Sequence, residues 1–286
     1  TVMAVLLVLF LLLTLLPGTN VQSMVRYETP TGTHGLMSQY FTYCWRVFTR
    51  LDFGVDVQTN RPLRAELLIR FGSTLRMTGI CLLITLLLGV PAGVVSALHH
   101  GSWLDTLLSG ITLVLSATPA FCLALGAALL FGLKLGWFQL SIASPWDYIL
   151  PYGVLSLNGL ASVTRMARSG MLETLEQDYM TAIYAIGVPR RSLIWKHGLK
   201  NALVPVISPL SSLAGFLLCG AIVVERFFGL RGLGYYLTQA IGMRMTGTVL
   251  ACVALICFTM CVLSILTDGL LVLVDPSMRQ SLSWRS

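Results

Sequence analysis

The chain is a succession of long apolar blocks separated by polar breaks. The blocks fall at residues 1–18 and at about 74–98, 104–133, 148–163, 206–224 and 247–274. Most reach the ~20 residues that a helix needs to cross a hydrocarbon core. The pattern therefore predicts an all-α polytopic membrane protein with about six transmembrane helices. A membrane β-barrel would instead show short strands of strict alternation.

Within the blocks, Gly89, Pro91 and Gly93 loosen the second expected span or let a neighbour approach closely. Thr118-Pro119 interrupts the third, where the proline removes a backbone hydrogen bond and predicts a kink. Trp137, Trp146 and the nearby Pro145 and Asp147 suit a boundary between lipid and water. The opening TVMAVLLVLFLLLTLLPG lacks the basic lead and cleavage site of a signal peptide, and is expected to be an N-terminally truncated first span. Residues 19–72 are polar, and their aromatics Tyr40, Phe41, Tyr43, Trp45 and Phe48 fit a membrane interface or a small extracytoplasmic fold better than ligand stacking.

The longest polar interruption of the second half runs from Glu173 to Pro205. Leu175, Tyr179, Ala182, Ile183 and Ile186 recur at helical spacing, predicting a short amphipathic helix with Glu173, Glu176 and Asp178 crowding its start. Gly187 and Pro189 then predict a turn and a fresh helix start. A second helix from Arg190 would place Trp195, Leu199, Ala202 and Val206 on one face. Such an elbow, apolar on one side and charged on the other, has the form of a segment that docks in a groove of another protein; a solvated loop would show the same composition.

Composition sharpens the membrane reading: 56% of residues are hydrophobic, 11% are charged, and the mean hydropathy is +0.80. The net charge of +7 is scattered among the spans without a compact basic domain, so it fits the positive-inside bias of membrane loops and not nucleic-acid binding. Arg165, Arg168, Arg190, Arg191, Lys196 and Lys200 put the elbow on the cytoplasmic side by that bias. Six of the seven cysteines lie in apolar runs, and an odd count without CxxC spacing points to packing, not to disulfides or zinc. The adjacent His99 and His100 cannot share a helix face, which disfavours a metal there. Met243 and Met245 are read as packing residues. Glu225 and Arg226, at a span end, could pair with Arg231 or nearby Asp residues, or face water. Asp268 is expected to cap or snorkel near an interface.

No phosphate-binding GxxxxGK[ST] loop, HExxH, GxSxG or CxxC arrangement occurs in the sequence. An intramembrane enzyme is therefore disfavoured, and any nucleotide-derived energy must come from a partner. An ion-coupled secondary transporter should show midplane acids or paired broken helices in two related halves, and neither is visible. A passive membrane anchor would not need Pro91, Pro119 or so particular an elbow.

Asp178-Tyr179, Ala182, Ala185, Gly187 and the string from His197 to Pro205 (HGLKNALVP) resemble the "EAA" cytoplasmic loop of binding-protein-dependent ABC importer permeases, in particular the dipeptide, oligopeptide and nickel branch. The segment from Glu225 to Gly234 resembles the "E-x-x-F-x-x-P-G-L-G" stretch before that family's last span, and LDFGVDVQTNRPL resembles its approach to the second. Two departures are plain: Thr181-Ala182-Ile183 stand where the general family has Glu-Ala-Ala, and Arg231 replaces the usual proline.

The resemblance implies a type I ABC importer permease fold in the bacterial inner membrane. Residues 1–18 would be a first transmembrane helix, 19–72 an extracytoplasmic segment, and 73–286 a core permease domain with five transmembrane helices and a cytoplasmic coupling loop at 166–204. The ATPase-coupling residues it implies are Asp178, Tyr179, Ala182, Ile183, Gly187, Trp195, His197, Asn201 and Pro205. The implied partners are a second homologous permease, two ATPase subunits that bind ATP and Mg, an extracytoplasmic solute-binding protein and membrane lipid. No cofactor is expected in this chain. The implied cargo is a short peptide, with nickel or another metal chelate as the alternative.

Overall fold

The computed structural model describes residues 6–8, 10–11, 36–55, 62–139 and 144–274. Its described residues are helix and turn, apart from an isolated antiparallel bridge between Val55 and Pro62. Most of the first expected span, residues 56–61 of the approach to the second, and the Asp275-Pro276 tail lie outside them.

The helices are α1 (Leu36–Arg50), α2 (Leu63–Leu98), α3 (Trp103–Ala117), α4 (Ala120–Lys134, whose second half from Ala128 is π-helical), α5 (Ile149–Leu175) and α6 (Asp178–Ala185). The segments Arg190–Ser192, Leu193–Gly198, Leu199–Ala202 and Val204–Ile207 together make α7. There follow α8 (Leu210–Phe228), α9 (Leu233–Gly242) and α10 (Thr246–Val274). By length and apolarity α2, α8 and α10 can each cross a membrane, and α3 with α4 makes a fourth candidate if that bent pair is one span. The fourth expected span falls within α5, which has 27 residues but carries Asn158, Arg165, Arg168 and Glu173.

The break at Pro119 is far larger than a kink, because α3 and α4 meet at 105°. Thr118 has φ −90° and ψ 122°, the extended conformation that a following proline ring favours. Helix α2 begins at Leu63, about one helical stretch before the expected Thr74, with Glu66 and Arg70 pairing at 2.6 Å across one of its first turns.

Two compact units divide the chain. One contains the described parts of Thr1–Arg76 together with Glu225–Val262. In it Tyr40, Tyr43, Cys44 and Val47 form the buried stripe of α1, and the Phe10 ring meets Tyr40 edge-on at 5.6 Å.

Glu225 in this unit is only 1% exposed and neither faces water nor pairs with Arg231 or an aspartate. Its carboxylate accepts from Thr74 Oγ1 and from the backbone N–H groups of Gly234 at 2.8 Å and Tyr235 at 3.0 Å. Thr74 Oγ1 in turn accepts from Leu233 N at 2.7 Å. The acid thus satisfies the free N–H groups at the start of α9, where the helix dipole also favours a negative charge. Gly232 makes room for it, since a β-carbon there would overlap the carboxylate. Gly229, at φ +65°, reverses the chain so that Glu225 and α9 meet.

The second unit contains Met77–Val224 and Leu263–Ser286. Its centre is the contact of α2 with α5, made close by small residues. A β-carbon on Gly89 would lie 2.9 Å from Val163 Cγ1, and one on Gly93 would lie 2.7 Å from Ala167 Cβ. Such small residues let helix backbones approach where lipid offers no hydrophobic drive. Val94, Ala97, Met171, Ile194 and Ala202 form a core cluster that joins α2, α5 and α7.

Candidate functional site

The polar elbow belongs to the second unit and starts later than its acidic residues suggest. Glu173 is still inside α5, where its carboxylate accepts from Ser169 Oγ at 3.3 Å, and Glu176 caps that helix. Gln177 is extended, and only Asp178 occupies the first turn of α6. Helix α6 ends at Ala185 with Ile186 as its C-cap, and Gly187 takes φ +86°, the left-handed conformation that costs glycine little. Pro189 then leads into α7, whose widened π-turn spans Leu193–Gly198.

Burial on α6 is centred on Met180, a residue the sequence pattern did not single out. Met180 and Met171 close on Gly198, whose added β-carbon would lie 3.3 and 3.1 Å from their methyl carbons. Asn201 Nδ2 donates to Tyr179 Oη at 2.7 Å, so α6 is held against α7 by one packed face and one side-chain hydrogen bond. At the base, Gly170 sits under α7, with its absent β-carbon only 2.6 Å from Ala202 O and 2.9 Å from Pro205 Cγ.

The apolar face expected to unite Leu175, Tyr179, Ala182, Ile183 and Ile186 is therefore divided. Leu175 belongs to α5, Tyr179 and Ile183 are half-buried, and Ala182 is exposed. Ile186 is 79% exposed, Tyr184 63% and Trp195 47%. On α7, Ala202 and Val206 are buried and Leu199 packs on the Val94–Met171 cluster, whereas Trp195 points away. Of the nine residues singled out for coupling, the fold joins Tyr179 to Asn201 and sets Asp178, Ala182, Gly187 and Trp195 on the exposed tip. His197 is half-buried on α7, and Pro205 lies at the base beside Gly170.

The elbow is anchored to α2 and α3 through a cluster that the sequence reading missed. Asp105 is buried and its carboxylate accepts from Ser96 Oγ at 2.6 Å, Gly101 N at 3.1 Å, and Arg168 Nε and Nη2 at 2.7 and 2.8 Å. His100 Nδ1 lies 3.1 Å from the same carboxylate. This forked guanidinium–carboxylate pair fixes the short turn between α2 and α3 to α5, three helical turns or fewer before α6 begins. Ser102-x-x-Asp105 is a visible helix-start signal, with Asp105 N donating to Ser102 Oγ at 3.4 Å, but nothing local points to Arg168, 63 positions on.

Apolar helices of spanning length, closely packed through glycine, and a braced polar elbow together define a polytopic membrane protein that holds one polar segment out of the bundle. Residues 89–280 match the model of the binding-protein-dependent transport system inner membrane component, and the chain belongs to that family. It is an inner-membrane permease of an ABC importer with the type I permease fold, a class that works with an ATPase and a solute-binding protein.

The chain is 31% identical over 292 residues to the glutathione transport system permease protein GsiC of Salmonella typhimurium, covering 98% of this chain and 95% of that protein. It is equally similar, with the same coverage, to GsiC of Pectobacterium atrosepticum. The GsiC protein of Escherichia coli K12 is 32% identical over 229 residues, covering 80% of this chain and 75% of the relative.

Proposed function

We propose that this chain and a second, homologous permease form the translocation path for short peptides, and that α6 and the start of α7 are the element through which ATPase subunits drive it. The observation that carries the reading is the exposure of Tyr184, Ile186 and Trp195 on an elbow whose base is fully packed. Large apolar side chains held out on a rigid, turned helix suit insertion into a groove of a partner. Two ATPase subunits, binding ATP and Mg, would close on one another and carry the elbow with them. The lever, residues 166–204, then lies in the cytoplasm and residues 19–72 on the opposite side, where a solute-binding protein delivers its ligand.

In this reading ATP does not act on the cargo. It shifts the permease between inward-open and outward-open states, by as much as the ATPase pair binds one elbow position better than the other. Short peptides are favoured as cargo because the relatives are named for glutathione, itself a tripeptide.

The test is uptake of labelled glutathione and of alanylalanine by the complete complex in proteoliposomes. Accumulation that needs both ATP and the binding protein is expected. Accumulation of nickel and not of either peptide would overturn the cargo, and an ATPase subunit that assembles normally on a chain with Tyr184, Ile186 and Trp195 all replaced by alanine would overturn the lever.

A further inference from the structure

One face of α5 is polar where a lipid-facing helix would be apolar. Asn158, Ser162 and Arg165 stand at i, i+4 and i+7, so their side chains share one stripe. With Ser116 at the end of α3 and Ser212 on α8 they line a cavity of about 330 Å³, all within the second unit. That volume is at the lower end for sites that hold small molecules. Apolar walls, Phe216 among them, complete it.

Arg165 is the exception among its neighbours. Arg168, one turn on, is engaged by Asp105, whereas among the described residues Arg165 is exposed and its side chain makes no ion pair or hydrogen bond. No acidic residue lines the cavity. Asn158 is only 8% exposed, and its amide also has no hydrogen-bond partner among the described residues. Counted from Ile149 at ~1.5 Å per residue, Asn158 lies ~14 Å and Arg165 ~24 Å along α5. Asn158 is thus inside the expected fourth span at about 148–163, and Arg165 stands just past its cytoplasmic end. A guanidinium at the inner mouth of the bundle, without a protein partner and on the same stripe as a buried amide, faces water or a ligand.

From this juxtaposition we infer that Arg165, with Ser162 and Asn158, forms a carboxylate-binding subsite on the translocation path. An anionic solute passes it with one carboxylate on the Arg165 fork while the Asn158 amide donates to the same group, and the Ser162 hydroxyl, which donates to Asn158 O at 3.2 Å, turns from that carbonyl to the solute. The inference rests on the reading of the chain as a path-forming permease and adds the charge class of the cargo.

Two measurements on the assembled complex test it, with Cys122 and Cys219, the two exposed cysteines, replaced by serine. In the first, Ser162→Cys is labelled by a sulfonate-bearing and by a trimethylammonium-bearing methanethiosulfonate. The sulfonate is expected to react faster, and adding Arg165→Gln should lower the ratio of the two rates about tenfold. A cysteine at 162 that reacts with neither reagent, or a ratio that Arg165→Gln leaves unchanged, overturns the inference, since the face is then closed by lipid or a second permease, or is not governed by Arg165. In the second, Arg165→Gln should raise the KM for glutathione uptake at least tenfold while Arg165→Lys restores most of it; an unchanged KM for Arg165→Gln overturns carboxylate binding. If the wild-type complex takes up no peptide, the peptide reading falls by itself, and the rate ratio still decides the preference of the site for anions.

Discussion

Two buried acids, Asp105 and Glu225, are each satisfied by a side chain distant in sequence, Arg168 and Thr74. Replacing Asp105 with alanine leaves Arg168 without its fork partner. The expected loss is ~3 kcal/mol, at the low end for breaking a buried pair because Arg168 keeps some contact with water. It should be read as a lower unfolding temperature in detergent, with Asp105→Asn losing less. At Glu225 the obstacle is space: Gly232→Ala drives a methyl group into the carboxylate and should destabilise by ~1–3 kcal/mol, the range for overpacking a tight site. By contrast Gly242→Ala, with nothing within 4 Å of the new atom, should be nearly neutral in the same melting assay. Neither acid was legible in the sequence as a structural centre. Glu225 was visible as a charge at the end of a span, but the partner that explains it, Thr74, lies 151 positions away.

Among the elements, the elbow was the most legible and also the most instructive in its errors. Gly187 and Pro189 mark the turn because each has a backbone preference that acts locally, and Gly187 does adopt φ +86°. The start of α6 was misplaced because acidic residues at the end of α5 look the same in sequence as acidic residues opening the next helix. The covering of α6 was legible only in part, because helical spacing says which residues align and not which side the protein covers; Met180 is covered and Ile186 is not. Gly187→Val has open space around it, so its cost is a strained backbone, ~1–2 kcal/mol. Uptake per ATP hydrolysed should fall well beyond what the small accompanying drop in melting temperature explains. Ile186→Asp and Trp195→Asp should release the ATPase subunit on purification with the fold intact, as both side chains are exposed. Leu199→Asp should instead lower the melting temperature, since Leu199 packs on the Val94–Met171 cluster. The break at Pro119 was anticipated only as a kink, because a proline announces an interruption but not its angle, which tertiary packing sets.

At the scale of the whole molecule, membrane residence follows from apolar run length alone and was fully legible. The direction of insertion was argued from scattered arginines and from resemblance. A cysteine placed at Tyr184 should therefore react with an impermeant thiol reagent in inside-out vesicles and stay unreacted in right-side-out ones; the reverse result would put the elbow outside. Which helix faces meet solute, lipid or a second permease was not legible, because those surroundings belong to the assembled transporter and leave only a polar stripe, such as Asn158–Ser162–Arg165, as their trace.

The forked contact between Asp105 and Arg168 has a mechanical corollary. It joins the short turn between α2 and α3 to the rod whose end leads, through the extended Gln177, into the elbow. If the elbow is the lever proposed above, the bend between α2 and α3 travels with it, and a permease in which that rivet is cut should burn ATP at its usual rate while moving less cargo.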